Sequence, residues 1–371
     1  MTKAPVPAAI LSPRALNRAL LARQMLLERA TMPVAEAIGH LVGLQAQVPS
    51  DPYYALWSRL RDFDPAVLSV LIEERAAVRM AAMRGTLHLL LAEDALPLRR
   101  LVQDVLTRTV AGTAFGRNTR GVDLDRLIAT GRAAVRRQPM TLAELRPILA
   151  EHFPGVAATA LSWLFHYHTA LVQVPPRGLW GQSGAPRVTT AEGWLRRRGA
   201  RPSPEKIVLR YLAAFGPASV ADAQAWSGLT RLDAVFERLG RRLIRFHDEN
   251  GRTLFDLPDA VCPDPDVPAS PRFLPVYDNA TLGFANRDRI VRGGPKVPVP
   301  QSVNVRTFLI DGFTAGYWKI VEEKSRATLM IEPFARLTPA DRAALTEEGL
   351  QLLAFAVPQA SRRDVRTGPA R

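Results

Sequence analysis

Between residues 204 and 257 the chain gives three helix signals and then a pair of strand signals, and that order restricts its fold more than any other feature. Pro204–Phe215 reads as a helix, and a second, from Ala218, is closed by Gly228. Thr230 is placed to cap a third helix over residues 231–239. Strands at 243–246 and 253–257 then flank the polar turn Asp248-Glu249-Asn250-Gly251. Three helices followed by a hairpin is the order of a winged helix. The same order precedes it. Ser12 caps a helix that has Pro13 at its first position and Leu16, Leu20 and Leu27 on one face. A second helix starts at Thr31, with Val34, Ile38, Leu41 and Val42 as its apolar stripe, and Pro49 stops it. A third covers 64–75, and strands at 78–83 and 86–90 are joined by Arg84-Gly85. A weaker copy has Thr141 capping one helix, another over 157–170, and strands at 171–174 and 187–189. The expected fold is therefore α+β, with three tandem winged-helix modules at residues 9–118, 119–200 and 201–260.

The texture changes after Pro258. Residues 258–275 are rich in Pro and Asp and read as a linker. Strand-like alternation follows at 303–310, 317–321 and 327–331, with Asp311-Gly312 as the first turn, which predicts a meander or small β-barrel. Thr338 and Pro339 open a closing helix that ends near Pro358, and 361–371 reads as a disordered basic tail. These pieces form an expected last domain over 261–371.

Composition narrows the partner. Lys and Arg number 49 against 35 Asp and Glu, a formal charge of +14, and most of the cations are Arg. Arginine grips phosphate with two parallel hydrogen bonds, so a polyanion is indicated, although Arg-rich composition also arises without any binding role. Cys262 is the sole cysteine, which excludes an intrachain disulfide and a cysteine-bound zinc or iron–sulfur cluster. The His, Asp and Glu residues show no metal-ligand spacing, so neither metal nor cofactor is expected. The longest apolar stretch, 157–174, carries His166 and His168 and reads as a buried helix. With no leader-like N-terminus, the chain is expected to be cytoplasmic, with no membrane partner.

Four short segments, in order, resemble those of one family. They are Gln45-Ala46-Gln47 with Pro52-Tyr53 after it; Arg84-Gly85-Thr86-Leu87-His88; Tyr277-Asp278-Asn279 followed by Asn286-Arg287-Asp288-Arg289; and Asp311-Gly312 with Gly316-Tyr317-Trp318. The first is similar to the Gln-apolar-Gln motif of the AlkZ family of bacterial DNA glycosylases. The resemblance implies a concave surface of three winged helices plus a barrel. It further implies monofunctional hydrolysis of the N-glycosidic bond of N7- or N3-alkylated purines in double-stranded DNA, including bulky adducts and, in some members, interstrand crosslinks made by natural products. A single copy of such a concave chain suffices to embrace a duplex, so a monomer associated with the nucleoid is expected. Relatives of another branch carry Asp at the second motif position, where it activates water more strongly; Gln fits a narrower or more labile substrate.

Two neutral amides suit that chemistry on physical grounds. Alkylation at N7 makes the purine cationic, so it leaves without protonation and a strong general acid is unnecessary. What remains is to stabilise an oxocarbenium-like sugar and to place a water beneath its anomeric carbon. A glutamine carbonyl accepts from that water, while the amide donates to phosphate or base. On an extended segment Gln45 and Gln47 share a side, which assigns Gln47 to the water and Gln45 to the sugar or backbone. Arg84, Thr86, His88, Asp278, Asn279, Arg287 and Arg289 are the candidate DNA contacts. The competing readings are a helix C-terminus for the two glutamines, a satisfied buried histidine for His88, an Asx turn for Asp278-Asn279 and a solvated face for the arginines. Arg196-Arg197-Arg198 and Arg241-Arg242 read as generic phosphate contacts or surface. A winged-helix transcription regulator is the alternative function. It has no need of the glutamine pair or of the extra C-terminal sheet.

Overall fold

A computed structural model describes residues 9–197, 199–292 and 305–370. The fold is α+β and is organised by three separate sheets. Most helix starts follow directly from the sequence. Ser12, Thr141, Ser203, Ser219 and Thr338 each cap the helix after them through a side-chain oxygen. The helices so begun are Pro13–Arg23, Leu142–His152, Pro204–Phe215, Val220–Ser227 and Pro339–Ala356. Gly228, at φ 79°, ends Val220–Ser227 in the left-handed conformation that glycine adopts without penalty. The expected cap at Thr230 does not form: the helix begins at Asp233 with Leu232 before it and no side-chain capping bond.

Strands are numbered β1 (Ile10–Leu11), β2 (Leu44–Gln45), β3 (Ala77–Ala81), β4 (Leu87–Leu91), β5 (Leu171–Gln173), β6 (Val188–Thr190), β7 (Ile244–Asp248), β8 (Thr253–Asp256), β9 (Arg272–Leu274), β10 (Arg306–Ile310), β11 (Phe313–Glu323), β12 (Arg326–Pro333) and β13 (Arg362–Thr367). The two N-terminal hairpins merge into one sheet of order β2-β4-β3-β5-β6, because β3 pairs with β5 as well as with β4. The hairpin of the third helical group, β7-β8, gains β1 as a parallel edge, Ile10 opposite His247. Thus β1, the first described strand, belongs to a sheet built some 230 residues further on.

The C-terminal sheet runs β9-β10-β11-β12-β13 and stays open, so the closed barrel is not what forms; the meander is. Its edges correct two further expectations. Residues 272–274, inside the expected linker, are β9, antiparallel to β10. Residues 362–367, in the expected disordered tail, are β13, parallel to β12 from Arg326 to Ile331. Val365 packs against the core of Phe308, Trp318, Leu329 and Leu352, and Gly349 leaves room for it, since a Cβ there would lie 3.1 Å from a Val365 methyl. Residues Val303, Asn304, Arg198 and Arg371 lie outside the described residues.

The helix Asp51–Trp57 has no counterpart in the sequence reading. Pro49 breaks the chain before it, but Pro52 falls in its first turn, where a missing N–H costs nothing. Its aromatic residues bind the molecule together: Tyr53 and Tyr54 meet the Trp180 ring at 4.9 and 5.9 Å, and Trp57 stacks on Phe355 of the closing helix at 5.8 Å. The stretch just before this helix is the Gln-Ala-Gln segment, so the segment is anchored on its C-terminal side.

Candidate active site

Gln45 lies in β2, an extended strand rather than a helix end, with His88 of β4 as its register partner. Ala46 is held at both backbone groups. Its N–H donates to Leu87 O at 2.8 Å, and its carbonyl accepts from Arg79 Nη2 at 2.8 Å. Gln45 and Gln47 therefore flank a pinned residue. Gln45 is 6% exposed, and its Oε1 accepts from Arg84 Nη2 at 2.7 Å. Gln47, in the bend that follows, is exposed, and its Oε1 accepts from the Leu87 N–H at 3.2 Å.

The segment is braced from below. Asn279 Nδ2 donates to Gly43 O at 2.8 Å, and Asp278 forms a bidentate pair with Arg59 at 2.7 and 2.8 Å, both side chains wholly buried. Asp278 also caps Asn279–Leu282 through Ala280 N. These two residues were expected to touch DNA; they serve the protein interior. Arg289 is likewise turned inward. It donates to Pro217 O at 2.6 Å, lies 4.0 Å over the Phe284 ring, and faces Asp222 at 3.9 Å. Short polar runs such as Asp278-Asn279 and Asn286-Arg287-Asp288-Arg289 give no sign of this burial, because the signal lies in distant partners.

Arg84 was expected at an exposed hairpin tip. Instead the turn Met83–Gly85 is packed against the end of Val220–Ser227, where Arg84 donates to the Trp226 carbonyl as well as to Gln45. Burial lowers its pKa to about 10, helped by the charge of Arg287, so it remains cationic at neutral pH. Thr86 closes the same turn, its hydroxyl donating to Met83 O at 3.2 Å. Arg287 is half-buried, and burial lowers its pKa too. Asp222 accepts from the Ala285 and Asn286 N–H groups and so fixes the loop that carries it. Among the described residues neither Arg84 nor Arg287 has a carboxylate within ion-pairing distance, although sixteen such pairs occur elsewhere. Arg84, bonded to Gln45, and Arg287, whose charge acts on Arg84, are thus two cations without a carboxylate partner, which suits an anion from outside.

His88 is 2% exposed and neutral: burial first, and then the Arg84 charge, lower its pKa to about 3. A carbonyl only accepts, so Nδ1 carries the proton and donates to Thr86 O at 3.0 Å. The buried-histidine reading is the one the geometry supports. Because the folded pKa lies below the unfolded value near 6.5, the unfolded chain binds the extra proton first as pH falls. The stabilising contribution is full above about pH 6.5 and is lost on descending toward about 3. In His88→Asn, where the amide nitrogen replaces Nδ1, this loss is absent. Urea melts of both proteins at pH 7.5 and 4.5 should show the wild type losing more stability than the variant; parallel losses would refute the assignment.

The sequence reading missed Arg79 and Arg59. Arg79 is 1% exposed in β3, with Nε and Nη1 unpartnered, and Gly178 is what leaves it space. Asp51, wholly buried at the start of Asp51–Trp57, has its pKa raised by burial to about 7, offset in part by Arg306 at 4.0 Å. An Arg inside a strand and an Asp beside a proline carry no sequence mark that separates them from surface residues. Among the described residues no cluster of three His, Cys, Asp or Glu is placed to hold a metal ion. No described helix is long and apolar enough to cross a membrane.

A braced segment with Gln45 extended and Gln47 exposed in the bend after it, next to an arginine without a carboxylate partner, suits an enzyme acting on a polyanion through neutral amides. The family model described as DNA glycosylase AlkZ-like matches residues 38–355, and the chain belongs to this family: it is a DNA glycosylase. It is 25% identical over 356 residues to a protein of Streptomyces sahachiroi named interstrand DNA cross-link repair glycosylase, a match that covers 84% of this chain and 88% of that one. The solved structure of Streptomyces sahachiroi DNA glycosylase AlkZ is similar in fold, with a TM-score of 0.72 at 20% identity, over 97% of this chain and 100% of that one. The transcription-regulator alternative falls with family membership.

Proposed function

We propose that this glycosylase removes N7- or N3-alkylated purines from double-stranded DNA by hydrolysis, as a monofunctional enzyme and as a monomer, and that its substrates include bulky or crosslinking adducts. Crosslink repair is suggested by the name of the Streptomyces relative. The observation that carries the reading is the exposed side chain of Gln47 in the bend that follows β2, next to Ala46, whose N–H and carbonyl are both pinned. Its Oε1 spends one lone pair on Leu87 N–H and keeps the other, which can hold a water. In the reaction the C1′–N9 bond breaks and its electron pair neutralises the alkylated purine. The water oxygen bonds to C1′, and the water's proton passes to solvent. His88 is too weak a base to accept that proton. Gln45 binds the sugar or backbone beside the lesion. Arg84 and Arg287 take a neighbouring phosphate in a charge-assisted bond. The three helix-plus-hairpin groups act as winged helices that embrace the duplex, and a base tethered to both strands is attacked without being flipped out. The proposed location is the cytoplasm, on the nucleoid.

The test is a duplex containing 7-methylguanine, incubated with the enzyme and then treated with alkali. Strand breaks at the lesion, absent without alkali, are the expected result. Gln47→Ala should slow single-turnover release by about 10²-fold, the usual loss when a group that orients a reactant is removed. Release at the wild-type rate would defeat the assignment of Gln47.

A further inference from the structure

The donor and acceptor sense of the glutamine site is fixed by its neighbours. A guanidinium only donates, so the group of Gln45 that faces Arg84 must be its carbonyl, and its N–H pair must face the opposite way. Arg84 is itself held, since its other terminal nitrogen donates to the Trp226 carbonyl at the end of Val220–Ser227. The turn that carries it is closed by Thr86 and seated against Gly228, where any Cβ would lie 3.3 Å from Arg84 N and Cα. Gln45 is therefore clamped between β4 and a helix of the third group, and little of it reaches solvent. We infer that Arg84 is a positioning residue of the excision site, which turns the Gln45 carbonyl inward so that Gln45 meets DNA as an N–H donor to a sugar or phosphate oxygen. This rests on the proposed excision reaction and adds a polarity to it. Gln45 does not work by offering its carbonyl dipole to the sugar cation; a neutral donor is needed, and Arg84 sets its orientation.

Gln45→Glu separates the two possibilities. Glutamate is the same size and pairs with Arg84 more strongly, so the fold is kept, but both donors are lost. If Gln45 donates, single-turnover release of 7-methylguanine under saturating enzyme falls by about 10- to 100-fold. If the carbonyl stabilised the cation, the carboxylate would match or exceed the wild-type rate, and the inference would be overturned. Arg84→Met, which frees the amide to rotate, should lower the saturated rate by about ten-fold beyond any change in duplex affinity, and Arg84→Lys should recover part of it. A wild-type rate in Arg84→Met would also overturn it. The side-chain amide ¹H–¹⁵N signals of Gln45 give a second readout. They should shift on duplex binding in the wild type and not in Arg84→Met; no shift in the wild type would refute the inference. Failure of the wild type to release 7-methylguanine would refute the substrate reading alone, and the amide signals would still decide this one.

Discussion

Replacing Asp278 by alanine will destabilise the protein by about 3–5 kcal/mol, the range for removing one partner of a buried ion pair. Both side chains of the Arg59–Asp278 pair are inaccessible to solvent, and the carboxylate holds both terminal nitrogens of the guanidinium. Arg59 has other partners, Ala55 O and Gln24 Oε1, but neither carries charge, and its Nε has none. Without Asp278 the buried guanidinium loses its carboxylate partner. The helix Asn279–Leu282 loses its cap as well, which costs about a further 1 kcal/mol. The function should fail before the fold does. Asn279, the next residue, holds Gly43 O two residues before Gln45, so loosening Asp278 loosens the strand that presents the glutamines. Urea melts together with single-turnover excision at a temperature where the variant is still folded will check both parts. The double variant Arg59→Leu/Asp278→Leu should be less destabilised than Asp278→Ala, because an apolar pair leaves no buried charge. A loss below about 1 kcal/mol in Asp278→Ala would show that water relaxes into the site and that the pair does not brace it.

This ion pair marks the limit of what was legible in the sequence. Elements set by near neighbours were readable: Ser12-Pro13, Thr338-Pro339 and the Gly228 stop fall where capping chemistry puts them, and the β3–β4 and β7–β8 hairpins follow their turns. The state of Gln45 was not settled: Pro49 allowed either an extended segment or a helix end, and the helix stops at His40, ahead of β2. Features set by distant partners were not readable. The strand β13 is a strand because β12 offers an unpaired edge and Gly349 leaves a seat for Val365, and neither fact lies in residues 361–371. Asp278, Asn279 and Arg289 look like surface polar residues, and their burial depends on Arg59, Gly43, Pro217 and Asp222, about 70 to 240 residues away. Arg84 shows both sides of this. Its turn was readable, and the seating of that turn against Trp226 and Gly228 was not. Charge count pointed to a polyanion, but which arginines remain without a carboxylate is a property of the folded chain alone.

Gly43→Ala should do the second-largest damage, and it probes the strand from its other end. Gly43 has φ 90°, a left-handed conformation that costs a residue with a Cβ about 1–2 kcal/mol. Space is lacking as well. A Cβ would sit 2.4 Å from a methyl of Leu90 and 2.8 Å from the Leu89 carbonyl. Leu90 is fully buried in the main core, and Leu89 is the β4 residue paired with Leu44, so neither yields freely. Forcing the contact adds about 1–3 kcal/mol of overpacking and pushes β4 away from β2. Three contacts of the site cross that gap: the Gln45–His88 pairing, the Ala46 N–H to Leu87 O bond and the Leu87 N–H to Gln47 Oε1 bond. The Gln47 bond, at 3.2 Å, is the longest of the hydrogen bonds that fix the two glutamines and Ala46, and should break first. The folded variant is therefore expected to lose excision by more than about ten-fold, because misplacement on the scale of an ångström is enough to spoil orientation. Its duplex affinity should change less than its rate, since Arg84 is also held by the Trp226 carbonyl and the loop that carries Arg287 by Asp222. Gly43→Ala with wild-type excision and an unchanged urea midpoint would show that the position of the Gln-Ala-Gln segment against β4 does not govern the chemistry.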